Sequence, residues 1–140
     1  PGIRQVNMPT FEQSIITQLL ADLESVAPGK VYEWRDTPLN EAETEMLNVR
    51  DHLNELSDDD EKEHTLHIEL TYETYSETAP AAIRTKAQTI ITEFAKIESL
   101  SGVAGARLLN IEKEIEKLDR RYAKLTINAE IYYYKEIWEL

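Results

Sequence analysis

Apolar and polar residues alternate strictly along the last third of the chain, where Leu125, Ile127, Ala129, Ile131 and Tyr133 fall on one side and their neighbours on the other. Alternation of that length marks a strand with one face in a core, a setting that β-branched and aromatic residues fit. The same two-residue period recurs earlier. Leu66, Ile68, Leu70 and Tyr72 point one way, and His67, Glu69, Thr71 and Glu73 point the other. Val31, Tyr32 and Trp34 read as a shorter strand, closed by Pro38, which removes a ladder donor. Two stretches carry the helical period instead. Phe11, Ile15, Ile16, Leu19, Leu20, Leu23 and Val26 form one stripe, and Ile83, Ala87, Ile90, Ile91, Phe94 and Ile97 form the other. Thr10 and Gln13 stand at capping-box spacing at the start of the first helix, and Pro28-Gly29 stops it. Pro80 suits the first turn of the second.

Two segments give less decided signals. Met46, Leu47, Val49 and Leu53 fit either a strand over 46–52 or one turn of helix, and the strand is the preferred reading. After the small-residue turn Ser101-Gly102-Val103-Ala104-Gly105, residues 106–111 alternate as a strand. Ile111, Ile115, Leu118 and Tyr122 are also spaced like a helical stripe, so Glu112 to Arg121 is either a short helix or a long twisted hairpin arm. The order is then helix, strand, strand, strand, helix, strand, strand. Alternating rather than continuously apolar strands, with two one-sided helices, predict an α/β (α+β) domain: a mixed, mostly antiparallel sheet covered on one face by two amphipathic helices. The uncovered face should be polar or adhesive.

At 140 residues and 41% hydrophobic content, the chain has material for one core, so residues 1–140 are expected to form a single domain. Pro1 to Asn7 carry no pattern, and residues 1–8 are expected to be a flexible arm. No apolar run approaches the roughly 20 residues that span a bilayer, and the N-terminal sequence lacks the charged start and apolar core of a signal peptide. A soluble protein made inside the cell, with no membrane partner, is the expectation. The formal charge of −12 opposes binding to a phosphate backbone, since counterion release needs clustered Lys and Arg.

Residue chemistry excludes more than it suggests. There is no cysteine, hence no disulfide framework and no thiolate zinc site. His64 and His67 would share a face only on a helix; on a strand their odd offset separates them, and no metal site is expected. Asp58-Asp59-Asp60-Glu61 resembles a calcium loop in charge alone, because the glycine and terminal bidentate glutamate such a loop needs are missing. A solvated, mobile loop between two pairing strands is the simpler reading. Phosphate-cradling, nucleophile-elbow and zincin motifs are all missing, so no catalytic residue, no cofactor and no enzyme activity are expected. The remaining candidates are contact residues: Asp58, Asp59, Asp60 and Glu61, and the aromatics Trp34, Tyr132 and Tyr134, the last two on the strand face opposite Tyr133. Aromatics there serve either an interface or cross-strand packing within one subunit.

The helix from Phe11 to Val26, the Val31-Tyr32-Glu33-Trp34 strand, the acidic loop, the His64 to Tyr75 strand, the Ala79 to Ile97 helix, the Leu100-Ser101-Gly102-Val103 turn and the final strand from Leu125 to Tyr134 together resemble the tail terminator proteins of long-tailed, lambda-type bacteriophages. The likeness runs from about Pro9 to Tyr134 and rests on element order and length. The charged helical spacing of Ile111 to Arg121 departs from it. The resemblance implies a virion protein, made in the host cytoplasm, that assembles with itself as a ring, typically of six. That ring would sit on the head-proximal end of the tail tube, bind the tube protein, end its growth and dock a head completion or neck protein, with DNA only passing through its lumen. A different head–tail joining protein, or a small acidic ligand-binding domain or enzyme, is the alternative.

Overall fold

The computed structural model describes residues 10–57, 62–117, 121–136 and 138–140. Helix α1 (Phe11–Leu23) leads into strand β1 (Val31–Glu33), the long hairpin β2 (Glu45–Leu56) and β3 (Glu63–Tyr75), helix α2 (Ala79–Phe94), and the closing strands β4 (Val103–Lys117) and β5 (Arg121–Tyr134). The five strands form one sheet in the order β1-β2-β3-β5-β4, parallel between β1 and β2 and antiparallel elsewhere. This is the mixed, mostly antiparallel sheet that the alternation predicts.

Local chemistry accounts for the element ends. Thr10 caps α1 by accepting a hydrogen bond from the Gln13 backbone N–H at 3.0 Å. The reciprocal half of the capping box does not form, because the Gln13 side chain turns along the helix to donate to Thr17. Helix α2 has Pro80 in its first turn, and its apolar stripe continues past Phe94 into a 3-10 turn, Ala95–Ser99, that buries Ile97. Gly102 then takes φ +101° with the Phe11 ring close against it; an added Cβ would lie 2.8 Å from that ring. Only glycine satisfies both demands.

One face of the sheet carries the core. Leu66, Ile68, Leu70 and Tyr72 of β3, Ala123, Leu125, Ile127, Ala129, Ile131 and Tyr133 of β5, and Leu47 and Val49 of β2 pack under Ile15, Ile16, Leu19 and Leu23 of α1 and Ile83, Ala87, Ile90 and Phe94 of α2. Lys86 ties the layers at their margin: its ammonium donates to the Val26 carbonyl and lies 3.5 Å from Glu45, whose carboxylate accepts the Tyr72 hydroxyl at 2.5 Å. Burial, reinforced by that hydrogen bond, pushes the Tyr72 phenol well above its ordinary range.

The opposite face is partly covered, which the alternation did not reveal. The crossover 34–44 that joins β1 to its parallel partner lies over it. Asn48, buried on this face, accepts from the Arg35 N–H at 2.9 Å and donates to the Arg35 carbonyl at 2.7 Å. Arg35 in turn clamps Glu43 through two hydrogen bonds of 2.8 and 2.6 Å, and Leu39 is buried beneath the loop. The strand preceding this loop ends at Glu33, before Trp34 turns the backbone left-handed, rather than at Pro38.

The segment with competing helical and strand patterns is a hairpin arm through Lys117. Bulges explain its mixed signal. Between Leu108 and Asn110, and again between Val103 and Gly105, β4 carries one more residue than β5. Each bulge reverses the phase of the alternation, so Leu108 and Ile111, three apart, face the helices together. A bulge at Asp51/Leu53 likewise conceals the full length of β2, which continues to Leu56.

Candidate assembly surfaces

Trp34 is held on an edge of the sheet by its own backbone. Its φ of +53° is a strained value for a bulky residue, and it persists because Asn48 fixes the next residue on both backbone groups. The indole Nε1 donates to Asp51 at 2.8 Å, the Arg50 guanidinium lies 5.8 Å from the ring, and 45% of the residue stays exposed. A large aromatic face is therefore presented rigidly to solvent.

Tyr132 and Tyr134 stand elsewhere. Tyr132 is half-buried on the open face of β5, beside Glu130 and Arg107, with its phenol raised chiefly by burial and then by Glu130. Arg107 donates to Glu130 through Nε and Nη2 at 3.1 and 3.0 Å, which compensates a carboxylate otherwise buried. Tyr134 is 55% exposed and its hydroxyl donates to Glu63 at 3.3 Å. The strand order puts β1 three positions from β5, or about 14 Å at the usual inter-strand spacing. Trp34 therefore belongs to a different patch from the two tyrosines.

Asp58, Asp59, Asp60 and Glu61 lie outside the described residues. What flanks them is fixed. The Ser57 N–H donates to the Glu63 carbonyl at 3.0 Å, the Lys135 N–H donates to the Lys62 carbonyl at 2.8 Å, and Lys62 pairs with Glu136 at 3.4 Å. Tyr134, opposite Glu63 in the ladder, lies at the same end of the sheet as the residues that flank the acidic segment.

A polar network inside the same end of the sheet went unforeseen. His64 is buried on the covered face beside Leu66, while His67 points to the open face and meets Glu55 at 2.5 Å. Asn54 organises the interior: its Nδ2 donates to Glu12 at 2.6 Å and to the Tyr133 hydroxyl at 2.7 Å, and its Oδ1 meets His64 Nδ1 at 2.9 Å. Since that oxygen only accepts, His64 carries its proton on Nδ1. The imidazole stacks on Tyr133 with ring centroids 4.8 Å apart and planes 11° from parallel, and the Phe11 ring lies tilted 5.1 Å from Tyr133. Burial pushes the Tyr133 phenol up to about 12. The alternation through His64, Leu66 and Ile68 held this signal, because it placed the histidine on the core side.

Among the described residues no group of three or more acidic or histidine side chains is arranged to hold a metal ion, and no helix is long and apolar enough to cross a membrane. The concavities are shallow. One, of about 440 Å³, is lined by Thr44, Glu45, Thr74, Tyr75, Ser76 and Glu77.

No protein-family model matches the chain, and no curated protein matches it. Among solved structures, a chain of one described as "Virion of native gene transfer agent (GTA) particle" is similar, with a TM-score of 0.50 and 19% identity over 88% of this chain and 95% of that one. At that identity the likeness is one of fold.

Proposed function

We propose that this protein is a virion assembly subunit that closes into a ring on the head-proximal end of a tail tube, ends the tube's growth and presents its other side to a head or neck protein. The observation that carries the reading is the match in fold, along nearly the full length of both chains, to a component of a gene transfer agent virion. The element order that resembles tail terminators supports the narrower assignment. The physical action is capping. Tube subunits add through heterologous contacts that repeat around and along an axis, and a ring that matches the tube on one side and differs on the other ends the repetition.

The rigid Trp34 edge and the Tyr132–Tyr134 end are two separate aromatic patches on one subunit, as heterologous contact with unlike neighbours requires. The acidic sequence Asp58 to Glu61 offers negative charge for encounter with a complementary surface. A net charge of −12 suits a lumen through which DNA slides without adhering. Negative-stain images of the protein mixed with tail tubes test the assignment. A ring on one end of each tube, with tubes no longer extending, is expected. Rings that bind heads or necks but leave tube growth unchanged would move the protein to another joining position.

A further inference from the structure

Among the described residues strand β4 is the longest edge of the sheet, and its two faces differ in kind. Register places Ile111, Lys113 and Ile115 opposite Ile127, Leu125 and Ala123, on the helix-covered face, and Glu112, Glu114 and Glu116 opposite Thr126, Lys124 and Tyr122 on the other. The partners Ile127 and Ala123 are fully buried, yet Ile111 and Ile115 are 42% and 48% exposed. The helix layer stops one strand short. The end of α2 and the 3-10 turn after it meet β4 near Ala106 and Leu108, where Ile91, Phe94, Glu98 and these two residues line a groove of about 230 Å³. Beyond it Ile111 and Ile115, with Lys113 between them, stay uncovered among the described residues.

The backbone is open as well. No described residue pairs with the outer edge from Ala104 to Glu116, so alternate N–H and C=O groups point outward as a template for another strand. Glu112, Glu114 and Glu116 form no hydrogen bond or ion pair among the described residues, and Lys124 is the sole cation in register with them.

We infer that β4 is a docking edge for an extended segment of another protein that carries lysine or arginine at three alternate positions and apolar residues between them. Its backbone adds a sixth strand, its cations lie beside Glu112, Glu114 and Glu116, and its apolar side chains cover Ile111 and Ile115. A second copy of this chain does not fit. Two copies joined edge to edge about a dyad keep their faces aligned, so a dyad at Glu114 sets Glu112 against Glu116, and neighbouring registers also oppose glutamates; like charges directly opposite repel. The opposite edge offers three residues of β1 and then β2 from Arg50 to Leu56, whose one arginine stands among Asp51 and Glu55 and so does not supply three alternating cations. This inference stands without the ring reading, since it concerns one subunit.

An amide-shift titration of the isotopically labelled protein with a synthetic peptide of alternating lysine and valine tests it, with the glutamate–valine peptide as control. The lysine peptide should shift amides over 109–116, and its affinity should fall about tenfold in a Glu112→Lys, Glu114→Lys, Glu116→Lys variant, as three cross-strand charge pairs of ordinary strength require. That variant should take up the glutamate peptide instead. A lysine peptide N-methylated at alternate residues keeps the charge and loses the ladder, and it should not bind. Equal binding by wild type and variant, equal binding of the N-methylated peptide, shifts lying away from β4, no binding at all, or concentration-dependent shifts of β4 without peptide would each overturn the inference.

Discussion

Ile127 and Ile111 are the same residue, on the same face, paired across one ladder, and they live in different environments. Ile127 is fully buried under the helices, whereas Ile111 is 42% exposed one strand further out. Ile127 has a strand on each side, β3 and β4, whereas Ile111 has one only on the side of β5. Burial of the side chain is a separate matter that depends on a second layer. The comparison shows that alternation identifies a strand and its apolar face without revealing whether that face is covered.

The largest effect that sharpens this contrast is one substitution made twice. Ile127→Asp should unfold the subunit, because an unpaired charge in the core costs on the order of the whole stability of a domain, about 5 kcal/mol or more. Ile111→Asp should cost under about 1 kcal/mol. Denaturant unfolding of both variants checks this, and similar losses would mean that β4 is covered in solution.

A second test compares the buried polar end of the sheet with its apolar middle. Asn54→Ala removes the partner of Glu12, Tyr133 and His64 together, and should destabilise by about 1–3 kcal/mol through buried groups left unsatisfied. Thermal unfolding measures the loss. A neutral result would show that water already reaches this network.

A smaller, pH-dependent effect distinguishes the crossover that covers the open face from the helices that cover the other. Hydrogen bonds from Arg35, and then from the Asn40 backbone, hold the Glu43 carboxyl down to about 2 from an ordinary 4.5. Its folded value lies below its unfolded one, so the stabilisation is complete above about 4.5 and disappears as the pH falls toward 2. The Glu43 side-chain carbon should titrate near 2 in a magnetic-resonance experiment, with the 34–44 segment loosening before the core. In Arg35→Leu the midpoint should return toward the ordinary value.

Much of the architecture was legible in the sequence. The stripes of α1 and α2 and the alternation of β3 and β5 each belong to elements with one uninterrupted face against the core, so period and environment agree. Legibility failed where they part. Bulges rephase β2 and β4, and a three-residue change of phase at Leu108–Ile111 imitates a helix. Met46 and Asn48 are buried on the nominally open face because a loop distant in neither sequence nor space folds over it, which no period encodes. Trp34 was visible as an aromatic but its left-handed backbone was not, since Asn48, fourteen residues on, sustains it. The acidic run was legible as charge alone.

The ring is the central claim, and sedimentation velocity of the free protein across concentration and ionic strength tests it most directly. With 27 acidic against 15 basic residues, like subunits repel, and added salt screens that repulsion. A monomer that converts at high concentration and raised salt to one closed species of defined size, near six copies, is the predicted result, with Tyr132→Ala weakening the conversion while leaving monomer unfolding unchanged. A monomer insensitive to salt and concentration, which also forms no ring on tube ends, would contradict it.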